Sequence, residues 1–112
     1  MIKIELQRNS NGMISALHVS GHSGTAAKGR DIVCAGISVL AQAAVVGISE
    51  YLRREVEYSI DPGGDLKLKL KGDPDDLTEA VLETVRLGFA GVAEASPGAV
   101  RITTKGCPPA SC

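Results

Sequence analysis

Aromatic side chains are scarce in this chain of 112 residues: one Phe, two Tyr and no Trp. Platforms on which nucleic-acid bases stack are built from aromatic faces, so three rings argue against one. The core must come from Val, Ile, Leu and Ala, in keeping with 44% apolar content. An excess of either charge is also missing, since 12 Lys and Arg stand against 13 Asp and Glu for a net charge of −1. Binding to phosphate backbones draws on surplus cations, so no direct nucleic-acid contact is expected from composition. Three Cys occur without a Cys-x-x-Cys pair or a His spacing of the zinc type. Reduced thiols are expected, with no metal and no organic cofactor. The opening MIKIELQR alternates apolar and charged residues and lacks the apolar stretch of an export signal, so a cytosolic location is expected.

That alternation predicts a strand. Ile2, Ile4 and Leu6 take one side, and beyond Asn9-Ser10-Asn11-Gly12 the pattern resumes with Met13, Leu17 and Val19, giving a hairpin. His18 has the opposite parity and is expected in solvent. A Gly-rich loop runs from Gly21 to Arg30, and Asp31, a favoured cap residue, opens a helix to about Leu52. Val56-Tyr58-Ile60 and Leu66-Leu68-Leu70, joined by Asp61-Pro62-Gly63-Gly64, predict a second hairpin with Lys67, Lys69 and Lys71 on its wet face. Asp73 as cap, Pro74 at the first helical position and the acids after it predict a second helix to about Glu94. Leu77, Val81, Val85 and Val92 are expected inward, with Glu79, Glu83 and Arg86 outward. Ser96-Pro97-Gly98 stops this helix, and Val100 with Ile102 makes a last strand.

The order ββαββαβ specifies an α+β fold, a mostly antiparallel sheet packed against two helices. One domain over residues 1–104 accommodates it, and residues 105–112, with Cys107 and Cys112, are expected to form a mobile tail. From Ile32 to Ser49 the first helix carries no charge, which raises a membrane-spanning reading. Gly36, Ser38, Gln42 and Gly47 interrupt the run, strands bracket it, and no aromatic belt flanks it, so no membrane partner is expected. A helix apolar nearly all round needs cover on more than one side. One small sheet covers one side, which predicts a homodimer through this helix.

Chemistry concentrates between Gly21 and Ser38. Cys34 falls in the first turn of the apolar helix, where unpaired N–H groups and the helix dipole favour a thiolate. His22 lies upstream, beyond local helical reach, and glycines at 21, 24 and 29 permit the loop to fold back over the helix end. Asp31, Cys34, Ser38 and Gln42 share one helical stripe. A purely structural account is available, because unpaired cysteine is among the most buried residue types and small polar residues bond backbone inside packed interfaces. The catalytic account pairs the Cys34 thiolate with the His22 imidazole for attack on a carbonyl, backbone N–H groups at the helix start holding the oxyanion. Asp31 is either a helix cap or the group that orients His22. Ser38 either contacts substrate or water, or bonds its own helix backbone. A thiol-transfer role lacks a resolving cysteine near Cys34.

Gly21-His22-x-Gly24, followed by Gly29-x-Asp31-x-Val33-Cys34-Ala35 and Ser38, resembles the signature of the ribosomal-processing cysteine proteases, the Prp family, and the similarity in element order extends from Ile2 to about Thr104. The resemblance implies a cytosolic homodimeric endopeptidase that removes the N-terminal extension of large-ribosomal-subunit protein twenty-seven in support of ribosome assembly. It implies Cys34 as nucleophile and His22 as base, with Gly21, Asp31 and Ser38 as supporting positions. Thr25-Ala26-Ala27 stands where many relatives carry an aromatic residue, and the Cys-bearing tail is not expected of the family. The alternative reading is a noncatalytic dimeric ribosome-assembly or peptide-binding factor.

Overall fold

The computed structural model describes residues 1–21 and 32–106. It contains β1 (Ile2–Arg8), β2 (Ile14–Ser20), α1 (Ile32–Val46) continued by a π-helical turn (Gly47–Tyr51), β3 (Val56–Ile60), β4 (Leu66–Leu70), α2 (Asp76–Ala95) and β5 (Val100–Gly106). The strands form one sheet in the order β3-β4-β2-β1-β5. Every neighbouring pair is antiparallel except β1 and β5, which run parallel from Ile2 opposite Val100 to Arg8 opposite Gly106. The fold is α+β, in the expected element order.

Strand alternation gives the sheet two unlike faces. Ile2, Ile4, Leu6, Leu17, Val19, Leu66, Leu68 and Leu70 lie on the helix side and are buried. Onto them α1 sets Ile37, Ala41, Ala44 and Val45, while α2 sets Leu82, Val85 and Phe89. Ala41 and Ala44 of α1 are fully buried in this layer. Beside them Leu40 fits against Gly88 of α2, where an added Cβ would come within 3.0 Å of the Leu40 methyls. The helix ends beyond Leu52 at Arg53, which takes a left-handed φ of 57°. By length and hydropathy Ile32–Tyr51 is long and apolar enough to cross a membrane; here one of its faces packs on the sheet.

Three local expectations are corrected. Ile14, not Met13, is the buried residue at the start of β2. Gln7 pairs with Ala16 and Arg8 with Ile14, so Ser15 is an extra residue in a β-bulge that reverses the parity of everything before it. The cap of α2 is Asp75 rather than Asp73: its carboxylate accepts from the N–H groups of Leu77 and Thr78, both at 3.0 Å. The Thr78 hydroxyl accepts in return from Asp75 N–H at 2.9 Å, closing a capping box. The inward stripe of α2 is accordingly Thr78, Leu82, Val85 and Phe89, and Leu77 is exposed.

Glu79, Glu83 and Arg86 do not face outward. Arg8 reaches Glu83 at 3.0 Å and Glu79 at 3.5 Å, Arg86 holds Glu83 at 2.7 Å, and Glu79 accepts from Ile14 N–H at 2.8 Å. This half-buried strut ties the β1–β2 hairpin to α2, and the Arg86 guanidinium, with Arg8 behind it, holds the Glu83 carboxyl below its ordinary value.

Candidate active site

Val19 of β2 pairs with Leu66 of β4, and Leu66 with Ile60 of β3, so these three form one row on the helix side of the sheet. α1 crosses above the row and leaves a cleft of about 300 Å³. Its wall on the α1 side is Cys34, Ser38, Ala41 and Gln42; the other is Val19, Ile60, Leu66 and Gly64 of the β3–β4 turn. The cleft is therefore apolar on the strand side and carries one thiol, one hydroxyl and one carboxamide on the helix side. It opens at the β3 edge, where Ile60 is 48% exposed.

The sequence stripe Cys34, Ser38, Gln42 is brought together here as its spacing requires. Cys34 is the third residue of α1 and partly exposed, within the helix's first turn, where orphan N–H groups and the dipole favour an anionic sulfur. A thiol in that position can, once ionised, attack an acyl carbon lying in the cleft.

Gly21 acts through its backbone. Its φ is 90°, and a Cβ there would strike the carbonyl oxygen of Met1 and stand 3.3 Å from Cα of Ile2. The chain thus leaves β2 pressed against the start of β1, two residues past the cleft wall at Val19. It re-enters the described structure at Ile32, two residues before Cys34. Gly21 and Ile32, the described residues on either side of 22–31, are thus each two residues in sequence from a residue of the cleft wall. His22 and Asp31, with Cys107 and Cys112, fall outside the described residues.

His18 stands on the opposite face of the sheet, far from the thiol in connectivity, and is half-buried rather than in solvent; its Nε2 is buried without a hydrogen-bond partner among the described residues. Among those residues no group of three or more His, Cys, Asp or Glu could hold a metal ion. The apolar cleft wall escaped sequence reading because Val19, Ile60 and Leu66 meet only through strand pairing. Their one local signal was the Asp61-Pro62-Gly63-Gly64 turn, which sets β3 and β4 in register.

A family model described as cysteine protease Prp matches residues 1–101. The ribosomal processing cysteine protease Prp of Staphylococcus aureus is 25% identical over 108 residues, covering 94% of this chain and 100% of that protein. The solved structure of SMU.848 from Streptococcus mutans shares 28% identity and a TM-score of 0.83, with 95% of each chain covered. The S. aureus Prp structure with a covalently linked product peptide has 24% identity and a TM-score of 0.85, covering 94% of this chain and 100% of that one, and shows the same fold. With the family model matching residues 1–101 of a chain of 112, the chain belongs to the Prp family of cysteine proteases.

Proposed function

We propose that this protease cuts the N-terminal extension from large-ribosomal-subunit protein twenty-seven in the cytosol, using Cys34 as nucleophile and His22 as base. The supporting observation is the cleft itself, which sets the Cys34 side chain at the head of α1 above an aliphatic wall suited to apolar substrate side chains. In the reaction the thiolate bonds to the scissile carbonyl carbon and the oxyanion is held by N–H groups at the helix start. The imidazolium of His22 protonates the leaving amine. Water, giving its proton to the same imidazole, then releases the thioester as a carboxylate and restores the thiol pair. Ser38, one turn along α1, faces the substrate chain, and Asp31 serves the helix start or the His22 ring.

A peptide spanning the extension's cleavage site tests this. Wild type yields two fragments, Cys34→Ala none, and His22→Ala lowers kcat by about 10²–10⁴-fold. A peptide that binds but stays whole would identify a binding factor instead, and cleavage by Cys34→Ala at the wild-type rate would refute the assignment.

The protein acts as a homodimer in this reading. Ile32, Val39 and Val46 on the outer stripe of α1 are 79%, 66% and 52% exposed, and Leu77 and Leu87 stand outward on α2. So uncharged a helix face on a small domain marks an interaction surface, and a two-fold dimer covers both copies at once. Val39→Glu should convert a dimer to a monomer in sedimentation equilibrium; a wild-type monomer at micromolar concentration would refute the dimer.

A further inference from the structure

We propose that the open face of the sheet, opposite the Cys34 cleft, is a docking surface for single-stranded RNA held through its phosphates; this rests on the reading that the substrate is a ribosomal protein, met among ribosomal RNA. Strand parity determines which side chains stand on that face. Lys3 of β1, Lys67 and Lys69 of β4, and Arg101 and Lys105 of β5 all do, and all are exposed. Among the strand residues of this face only Glu5 and Glu57 oppose them. Folding therefore gathers a cationic surplus on one side of a chain whose net charge is −1, an asymmetry that composition averages away.

The cations are placed in two banks. Lys67 and Lys69 stand on β4, Arg101 and Lys105 on β5, with β2 and β1 between. At about 4.8 Å per strand the banks are about 14 Å apart, and neighbouring lysines on β4 are about 6.6 Å apart. Between the banks lies a trough of about 210 Å³ over Ala16, His18, Glu5 and Gln7. Glu5 is tied to Lys105 at 3.4 Å and Glu57 of β3 stands directly opposite Lys69, whereas in strand register no acid stands opposite Lys3, Lys67 or Arg101. His18, opposite Glu5 on one side and Lys67 on the other, keeps its Nε2 buried there with no hydrogen-bond partner among the described residues. The face has no aromatic ring for bases to stack on, so contact runs through the regularly charged backbone without sequence preference.

The test is fluorescence anisotropy of a labelled 12-nucleotide single-stranded RNA with the full chain, alongside cleavage of the free peptide by the same preparations. Three to five phosphate contacts, the lower number counting only the cations with no acid opposite, predict that the association constant falls about 20- to 100-fold between about 50 and 200 mM salt. Lys67→Glu with Lys69→Glu should weaken RNA binding at least tenfold and leave peptide cleavage unchanged; Lys67→Gln with Lys69→Gln, which keeps the sheet free of new acids, should weaken it less but measurably. No binding at the lower salt, or equal binding by both double variants and wild type, overturns the proposal. So does competition by poly-glutamate as strong as by unlabelled RNA, which would identify an acidic protein as the occupant. Failure of the protease reading is seen separately, as a wild-type protein that leaves the peptide whole.

Discussion

Replacing Gly21 by alanine asks whether that position is demanded by backbone geometry. At a φ of 90° an L side chain leaves the conformations it favours, at about 1–2 kcal/mol. The added methyl also meets the Met1 carbonyl oxygen and Cα of Ile2. Both are main-chain atoms, so relief requires β1 to move against β2, and overpacking of that kind adds about 1–3 kcal/mol. The total, about 2–5 kcal/mol, is a large part of the roughly 5–15 kcal/mol that holds a domain folded. Two other glycines separate the contributions. Gly12, with a φ of 80° and nothing within 4 Å of its Cβ position, should lose only the conformational part on conversion to alanine. Gly91, exposed in α2 with nothing near, should gain about 0.8–1 kcal/mol from helix propensity. Urea unfolding followed by circular dichroism measures all three; with a slope of about 1–3 kcal/mol per molar urea, Gly21→Ala should lower the midpoint by about 1 M or more. A Gly21→Ala midpoint equal to wild type, or no lower than that of Gly12→Ala, refutes the argument.

Ile60→Lys, on the open wall of the cleft, should raise KM for the peptide at least tenfold while unfolding free energy changes by less than about 1 kcal/mol; an unchanged KM would remove β3 from the substrate site. Because Glu83 is held below its ordinary value by Arg86 first and Arg8 second, its ionised form stabilises the fold above about pH 4.5, and that contribution is lost as pH falls through the lowered folded-state value. The pair is about one-third exposed, which limits the contribution to about 0.2–1 kcal/mol. Glu83→Gln should therefore be less stable than wild type at about pH 7, with the gap narrowing progressively as pH falls below about 4.5, and a gap unchanged by acidification would exclude the ion pair as its cause.

Element order was readable because alternation, caps and turn residues are local signals. Phase was harder wherever a distant partner decides it. Met13 and Ile14 are both apolar, and only the pairing of Gln7 with Ala16 reveals that Ser15 is extra. On α2 the stripes through Leu77 and Thr78 share Val85, and the choice falls to Phe89, whose ring fills the core. The run Asp73-Pro74-Asp75-Asp76 offers several caps, and the one used is the one Thr78 can answer. At the site, Cys34, Ser38 and Gln42 were legible from helical spacing. Their aliphatic counterparts were not, since no periodicity within β2, β3 or β4 indicates which helix will lie over them. Lys67 and Lys69 were legible as the wet face of β4, but their standing across the sheet from Arg101 and Lys105 was hidden for the same reason.

The parallel ladder between β1 and β5 has a consequence for how the molecule is made. β1 leaves the ribosome well before the strand it pairs with: Ile2 N–H finds its acceptor only at Ala99, 3.0 Å away, and the rest of that ladder forms beyond it. Until then one border of β1 stays bare, and contacts this remote along the chain form slowly. A nascent copy is thus an unfinished sheet until β5 has been made.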